Sequence, residues 1–234
     1  MATSRSILIA GASRGIGRAV ALAMAAPGAR LTLAARSAEA LEVVVAEARA
    51  KGAEAVAAPC DLTAEPHVRR LVEQAAGGGT LGVVVHSVGG ALVGPFEQLE
   101  LGAWEEQLRA QLTSLFLVCK HAAPRMGPGG LIVNIGSVAA RQAFPGWAAY
   151  SAAKAGALAF MAAVREELRP RGVRATTVLV AATDTGLWDE VPGSWDRASM
   201  LSTAEVAAAV AALAAHPPHV AVEELIVGHV AGRL

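Results

Sequence analysis

The chain has 234 residues, 54% hydrophobic and 17% charged, with 20 Lys+Arg against 20 Asp+Glu. That length suits a single α/β domain, and the balanced charge removes the polycationic surface that general nucleic-acid binding requires. Mean hydropathy is +0.44, yet no purely apolar run reaches the roughly 18 residues needed to span a bilayer.

Met1–Arg5 runs straight into an apolar segment without the h-region of a secretory leader, and Cys60 and Cys119 lack disulfide or metal-ligand spacing. A cytoplasmic, metal-free protein is the expectation. The composition includes a single tyrosine, Tyr150.

Strand-length apolar runs lie at Ser6–Ala10, Leu31–Ala35, Glu54–Ala58, Leu81–His86, Leu131–Gly136, Val173–Val180 and Glu224–Val227. They are continuous rather than alternating, as expected of strands buried on both faces of a parallel sheet. Helical stretches are predicted over 15–26, 38–50, 64–76, 103–126, 149–169 and 203–214, with Ser37, Thr63 and Thr203 as N-caps. This βα rhythm predicts an α/β, Rossmann-type doubly wound sheet of about seven strands.

The first strand runs into Gly11-Ala12-Ser13-Arg14-Gly15-Ile16-Gly17 and then a helix. Gly11 permits a tight turn, Gly15 lets backbone approach a pyrophosphate, and Gly17 allows close helix–sheet packing. The helix N-terminus offers free N–H groups to phosphate. An NAD site usually places an acid near the end of the second strand, but that position reads Ala35-Arg36-Ser37. Arg36 and Arg14 are guanidinium forks suited to a 2′-phosphate, so NADP(H) is favoured over NAD(H).

Tyr150 and Lys154 are four residues apart and share a helix face. An ammonium about 4 Å from the phenol would favour phenolate by roughly 4 kcal/mol at an effective dielectric near 20. That is enough to bring a phenol with a pKa near 10 toward neutrality. Ser137 ends the fifth strand, at the carboxyl edge where α/β ligands bind, and its hydroxyl can hold a substrate oxygen.

These motifs resemble the classical short-chain dehydrogenase/reductase family along essentially the whole chain. The matching residues are Gly11-x-x-x-Gly15-Ile16-Gly17, Asp61-Leu62, Ser137 and Tyr150-x-x-x-Lys154, with 150 − 137 = 13 positions between serine and tyrosine. The resemblance implies that Tyr150 is the acid/base, that Lys154 lowers its pKa and holds the ribose, and that Ser137 orients the carbonyl. It also implies cofactor contacts from Ser13, Ser87 and Gly89, adenine cover from Asp61 and Leu62, and a nicotinamide contact from Thr185. Arg14 and Arg36 match the family's NADP-preferring pattern.

Four places depart from that pattern. The Asn-Asn-Ala-Gly of the family is His86-Ser87-Val88-Gly89, which predicts local repacking of the central sheet. Gln111 stands where the family's relay asparagine would be, on the stripe Trp104, Leu108, Leu112, Leu115; it either holds the relay water or caps backbone groups. Val180-Ala181 replaces Pro-Gly after the sixth strand. The ending Glu223-Glu224-Leu225-Ile226-Val227 lacks Asp-Gly-Gly and is similar to the branch acting on small hydroxy acids and similar compounds.

Between Thr185 and Met200, Trp188 and Trp195 suggest an apolar or aromatic lid over a small-molecule substrate, with Phe144 and Trp147 pointing the same way; alternatively they pack the loop. No arginine precedes Arg197 there to clamp an anion. Residues 155–164 are apolar around the whole helix, which predicts burial against a second subunit in a homodimer or homotetramer. His67, His121, His216, His219 and His229 show no ligand pairing. The reading is an NADP(H)-dependent oxidoreductase acting on a carbonyl or secondary alcohol. The alternatives are a regulatory or scaffold protein that binds NADP(H) without catalysis, or a lyase or epimerase on the same fold.

Overall fold

The computed structural model describes residues 6–230. Its seven-stranded, all-parallel sheet has the order β3-β2-β1-β4-β5-β6-β7, with β1 Ser6–Ala10, β2 Arg30–Ala35, β3 Glu54–Pro59, β4 Leu81–His86, β5 Met126–Ile135, β6 Arg174–Val180 and β7 Glu224–Val227. The chain reverses its direction of travel between β1 and β4. There the crossovers leave toward opposite sides, and the crevice beyond the strand ends is the ligand position of doubly wound sheets.

The central strands read as continuous apolar runs because both faces are covered, whereas the edge strands β3 and β7, each with a single neighbour in the sheet, leave residues such as Val56 and Ile226 exposed. Along β1, Ile7 and Ile9 face one core while Leu8 and Ala10 face the other. The first core is closed by α1 (Gly15–Met24), α2 (Ala38–Ala50) and α8 (Thr203–Ala215) through Val20, Leu41, Val44 and Val210. The second is closed by α3 (Glu65–Ala76), α5 (Ser114–Ala122) and α6 (Ala148–Leu168) through Leu71, Val118 and Met161.

Several predicted boundaries move. The expected helix over 103–126 is two helices, α4 (Leu101–Leu108) and α5, joined by a π turn at Arg109–Thr113, where Ser114 N–H donates to Arg109 O. The extra residue rotates the stripe. Gln107, Gln111, Ser114 and Leu115 are buried, whereas Trp104, Leu108 and Leu112 are only partly covered. β5 starts at Met126 and carries Pro128-Gly129-Gly130 inside it, because Arg174 and Gly172 of the β6 side supply partners there: Gly129 N–H donates to Gly172 O and Arg174 donates to Gly129 O. Gly136, expected in the strand, lies just beyond its end but still donates to Val178 O.

Two caps also differ. Ser37 caps α2 as expected, accepting from Ala40 N–H. Thr63 does not cap α3, because its N–H and hydroxyl both turn to Asp61 Oδ1 at 2.8 and 2.7 Å. Thr203 is inside α8, and the cap is Ser202, which forms a reciprocal capping box with Glu205. The last helix before β7 therefore begins on Ser202. Ser202→Ala should lower unfolding free energy by about 1 kcal/mol with unchanged turnover, measured by urea denaturation and activity assay.

Candidate active site

The glycine turn is shaped by contact. Gly11 leaves β1 at φ +88°, and a Cβ on it would collide with the carbonyl of Ser87 at the end of β4. A Cβ on Gly17 would collide with the Gly11 carbonyl, so α1 lies against its own turn with no room for a side chain. Ser87 N–H donates to Ala10 O at 2.8 Å, which locks the two strand ends together. At Gly15 a Cβ would sit 3.4 Å from Thr185 Cγ2, so the threonine after β6 reaches the turn from the opposite side. The start of α1 has no side-chain cap and no acid in its first turn. Its N–H groups are therefore free for an anion, and the turn fits a dinucleotide pyrophosphate.

Around that turn the implied cofactor residues fall into two groups. Ser13, Arg14, Gly15, Ile16, Ser87, Gly89 and Thr185 lie at the carboxyl ends of β1, β4 and β6. Arg36 and Asp61 follow β2 and β3 and are exposed. Arg36 is close enough to contribute to holding the Asp61 carboxyl below its usual range, although the two hydrogen bonds from Thr63 are the larger cause. Leu62 is buried in the second core, packed with α3. Arg14 reaches across to Glu190 at 2.9 Å, both side chains more than half exposed.

Ser137, Tyr150 and Lys154 come together where β5 ends and α6 begins. Ser137 Oγ accepts from Ala139 N–H at 3.1 Å, which turns the chain into a short 3₁₀ turn and leaves the hydroxyl beside the phenol. Lys154 is only 6% exposed, and its Nζ donates to the Ile135 carbonyl at 3.1 Å. That carbonyl lies at the end of β5, where the strand hands over to the turn carrying Ser137. Burial pulls the ammonium down to about 8.

The phenol behaves differently from the sequence expectation. Burial raises the Tyr150 pKa, and the opposing effect comes from the hydrogen bond with Ser137. Lys154 Nζ lies over the aromatic ring, 5.5 Å from its centroid, where it meets the π face rather than standing beside the oxygen. Spacing places tyrosine and lysine on one face, but the reach of the lysine side chain decides which part of the phenol it meets.

Gln111, 2% exposed, lies in the π turn. Its Nε2 donates to Gly90 O at 2.6 Å, so it does hold a backbone carbonyl, while its Oε1 is buried without a partner. Gln107, one turn earlier, donates to the same carbonyl at 3.1 Å and accepts from Leu92 N–H at 2.9 Å. Two glutamines thus clamp the segment after β4. Gln107 was not singled out by the motif reading, although its position four residues before Gln111 would have marked it.

Val180 and Ala181 are both buried, and Ala181 N–H donates to Val227 O at 2.9 Å, so the sheet simply continues where the family has Pro-Gly. Beyond it, where Leu187–Glu190 forms the short helix α7, three rings stand in a row. Trp147 stands edge-on to Tyr150 at 5.3 Å, Trp188 lies 5.9 Å from Trp147, and Trp195 lies 4.7 Å from Trp188. Trp188 donates to Thr183 O and Trp195 to Val191 O. Phe144, expected with them, packs against the first core instead. Arg197 is used within the segment after β6, bonded to Asp184, Asp189 and the Thr185 carbonyl, so it presents no free clamp.

A family model described as short chain dehydrogenase matches residues 5–194. The chain belongs to that family. It is 37% identical over 180 residues to a 3-oxoacyl-[acyl-carrier-protein] reductase from Synechocystis sp., covering 75% of this chain and 73% of that one. It is 34% identical over 189 residues to D-threitol dehydrogenase from Mycolicibacterium smegmatis, covering 78% and 73%. Among solved structures, an alcohol dehydrogenase from the archaeon Thermococcus sibiricus, complexed with 5-hydroxy-NADP, superposes with TM-score 0.90 at 28% identity over 98% of both chains. A short chain dehydrogenase from Burkholderia cenocepacia in complex with NADP gives TM-score 0.86 at 29% identity over 97% of both.

In this short-chain dehydrogenase the altered first residue of the asparagine motif, His86, is fully buried between β4, β5 and the π turn. Its Nε2 lies 2.8 Å from Ser114 Oγ and its Nδ1 3.3 Å from the Asn134 side chain. Burial, followed by repulsion from Lys154, pushes it down to about 3. The unfolded chain takes up this proton below about pH 6.5 while the folded protein does not. Stability is therefore full above 6.5 and falls toward pH 3, by about 1.4 kcal/mol per unit. His86→Asn should flatten this acid limb in pH-dependent thermal unfolding; an acid limb as steep as in the unmodified protein would remove His86 as its source.

Proposed function

We propose that this short-chain dehydrogenase is an NADP(H)-dependent oxidoreductase that moves hydride between the nicotinamide and a carbonyl or secondary alcohol. The observation that carries this reading is the convergence of Ser137, Tyr150 and Lys154 on one corner of the switch-point crevice, opposite a glycine turn shaped for pyrophosphate. The nicotinamide supplies or accepts the hydride when bound. Ser137 and Tyr150 orient the substrate oxygen by hydrogen bonds, and Tyr150 passes the proton to or from it. Lys154, with Thr185 and the glycine turn, holds the cofactor, and the hydrogen bond from Ser137 is what offsets the burial of the phenol. Gln111 is assigned to the relay behind Lys154 through its unpartnered Oε1.

The related proteins named above are reductases and dehydrogenases, which favours catalysis over a scaffold role. Tyr150→Phe removes the transferable proton but little of the cofactor surface. It should abolish turnover on a panel of carbonyl substrates followed by NADPH absorbance, while NADPH affinity stays within a few-fold. Full turnover in that variant would eliminate the mechanism.

NADPH preference follows from Arg36, which stands exposed at the end of β2 where a ribose-binding acid would repel phosphate, and from Arg14 in the glycine turn. Two solved relatives hold NADP or a derivative of it, in keeping with this assignment. Arg36→Ala should cost NADPH affinity about tenfold or more and leave NADH affinity unchanged, measured by fluorescence titration; an unchanged ratio would refute the assignment.

The row Trp147, Trp188 and Trp195 beside Tyr150 favours a small apolar or aromatic substrate. Self-association as a homodimer or homotetramer is inferred from α6. Ala153, Ala157 and Met161 are buried, but Ala155, Ala159 and Ala163 form an exposed row, so one chain does not bury this apolar helix on every side. Phe116, 43% exposed, stands edge-on to Phe160 of α6 and widens that apolar surface.

A further inference from the structure

His86, 1% exposed, has no part in the hydride chemistry above. It nevertheless touches polar groups on two other elements, and simple valence rules fix how they are connected.

The π turn creates a need. In α geometry the Ala110 carbonyl would accept from Ser114 N–H, but here that N–H donates to Arg109 O. The Ser114 hydroxyl takes its place, donating to Ala110 O. A hydroxyl carries one proton. With that proton committed, Ser114 Oγ is only an acceptor, so the 2.8 Å contact requires a hydrogen on His86 Nε2. A neutral ring then has a lone pair at Nδ1, and the group of Asn134 able to meet it is the amide NH2. A lone pair facing Oδ1 would instead be repulsive, and the same amide nitrogen would be left buried with no partner. The two ends of an amide are nearly isosteric, and the hydrogen-bond network decides between them. The result is a one-way chain: Asn134 Nδ2–H to His86 Nδ1, His86 Nε2–H to Ser114 Oγ, and Ser114 O–H to the Ala110 carbonyl.

We propose that His86 is a positioning residue: its Nε2–H orients Ser114, whose hydroxyl holds the Ala110 carbonyl and so fixes the π turn from which Gln111 and its neighbours face the site. This assignment rests on the oxidoreductase reading for its kinetic consequence, but not for the chain of hydrogen bonds. A cation at His86 would break the chain, because an imidazolium cannot accept from Asn134, and it would add a second positive charge near Lys154. The strength of burial at this position keeps the ring neutral. The site thus obtains a rigid polar support behind Lys154 without an added charge.

The test uses ¹⁵N-histidine-labelled protein at neutral pH, with His86 assigned by the signals missing from His86→Asn. The expected result is a neutral ring in the Nε2–H form; an Nδ1–H ring or an imidazolium overturns the chain. Ser114→Ala should lower kcat about tenfold with KM for NADPH unchanged, and Ser114→Thr, which restores the hydroxyl, should return most of that loss. A fall in kcat of less than about threefold in Ser114→Ala, or no recovery in Ser114→Thr, overturns the positioning role. If Ser114→Ala does not fold, the tautomer of the unmodified protein still decides. Absence of turnover by the unmodified protein on every carbonyl would count against the oxidoreductase reading alone.

Discussion

An ammonium group buried at the end of a strand is the constraint around which this site is organised. Removing Lys154 from water is costly unless it is hydrogen-bonded. The Ile135 carbonyl meets that need because β5 stops there and leaves its last acceptor facing α6. The consequences spread outward. Gly136 must follow without a side chain, since a Cβ would press on Thr177 and Leu179 at 2.9 and 3.1 Å. Tyr150 is placed one helical turn before the lysine, with the charge over its ring. His86, beside the same ammonium, can be polar but not charged, and its neighbours are neutral donors and acceptors.

A second electrostatic arrangement spans the mouth of the crevice. The segment after β6 is held together by Arg197, which bonds two aspartates and a carbonyl of that same segment, and is joined to the glycine turn through Arg14 and Glu190. Both partners of that last pair are well exposed, so the contact contributes at most about 1 kcal/mol. The aromatic row Trp147, Trp188 and Trp195 is stiffer, since two of its three indoles donate to nearby backbone carbonyls. Ionic contacts at the rim and aromatic packing behind them thus hold this segment against the glycine turn and the start of α6.

Much of this was legible from residue order. Strands β1 and β4 were read to the residue because both-face burial demands uninterrupted apolar runs, and β7 agrees in its bounds although, as an edge strand, it is only partly covered. The glycine turn, Arg36, Ser137, Tyr150 and Lys154 stood out because each needs a particular residue type at a particular spacing. The π turn was not legible: Ser114 meets a histidine 28 positions away, and helical periodicity has no record of such a partner. Thr63 and Thr203 were plausible caps by residue type, yet Asp61 engages the hydroxyl of Thr63 itself, and Ser202 takes the Glu205 N–H at the start of α8. Phe144 was grouped with the lid by proximity in sequence, but the chain turns it toward the core.

By itself, then, the amino-acid sequence determined the parallel doubly wound sheet, the place of the glycine turn and the identity of the residues gathered at the strand ends. Those depend on short-range rules: apolar runs, glycine at special backbone positions and four-residue helical spacing. Only the tertiary structure decided the direction of the Tyr150 pKa, the carbonyl that holds Lys154, the clamp of Gln107 and Gln111 on Gly90, and the hydrogen-bonded support through His86. Each of these depends on burial and on partners far away in the chain. Desolvation and hydrogen-bond direction exist only once distant segments have been brought together.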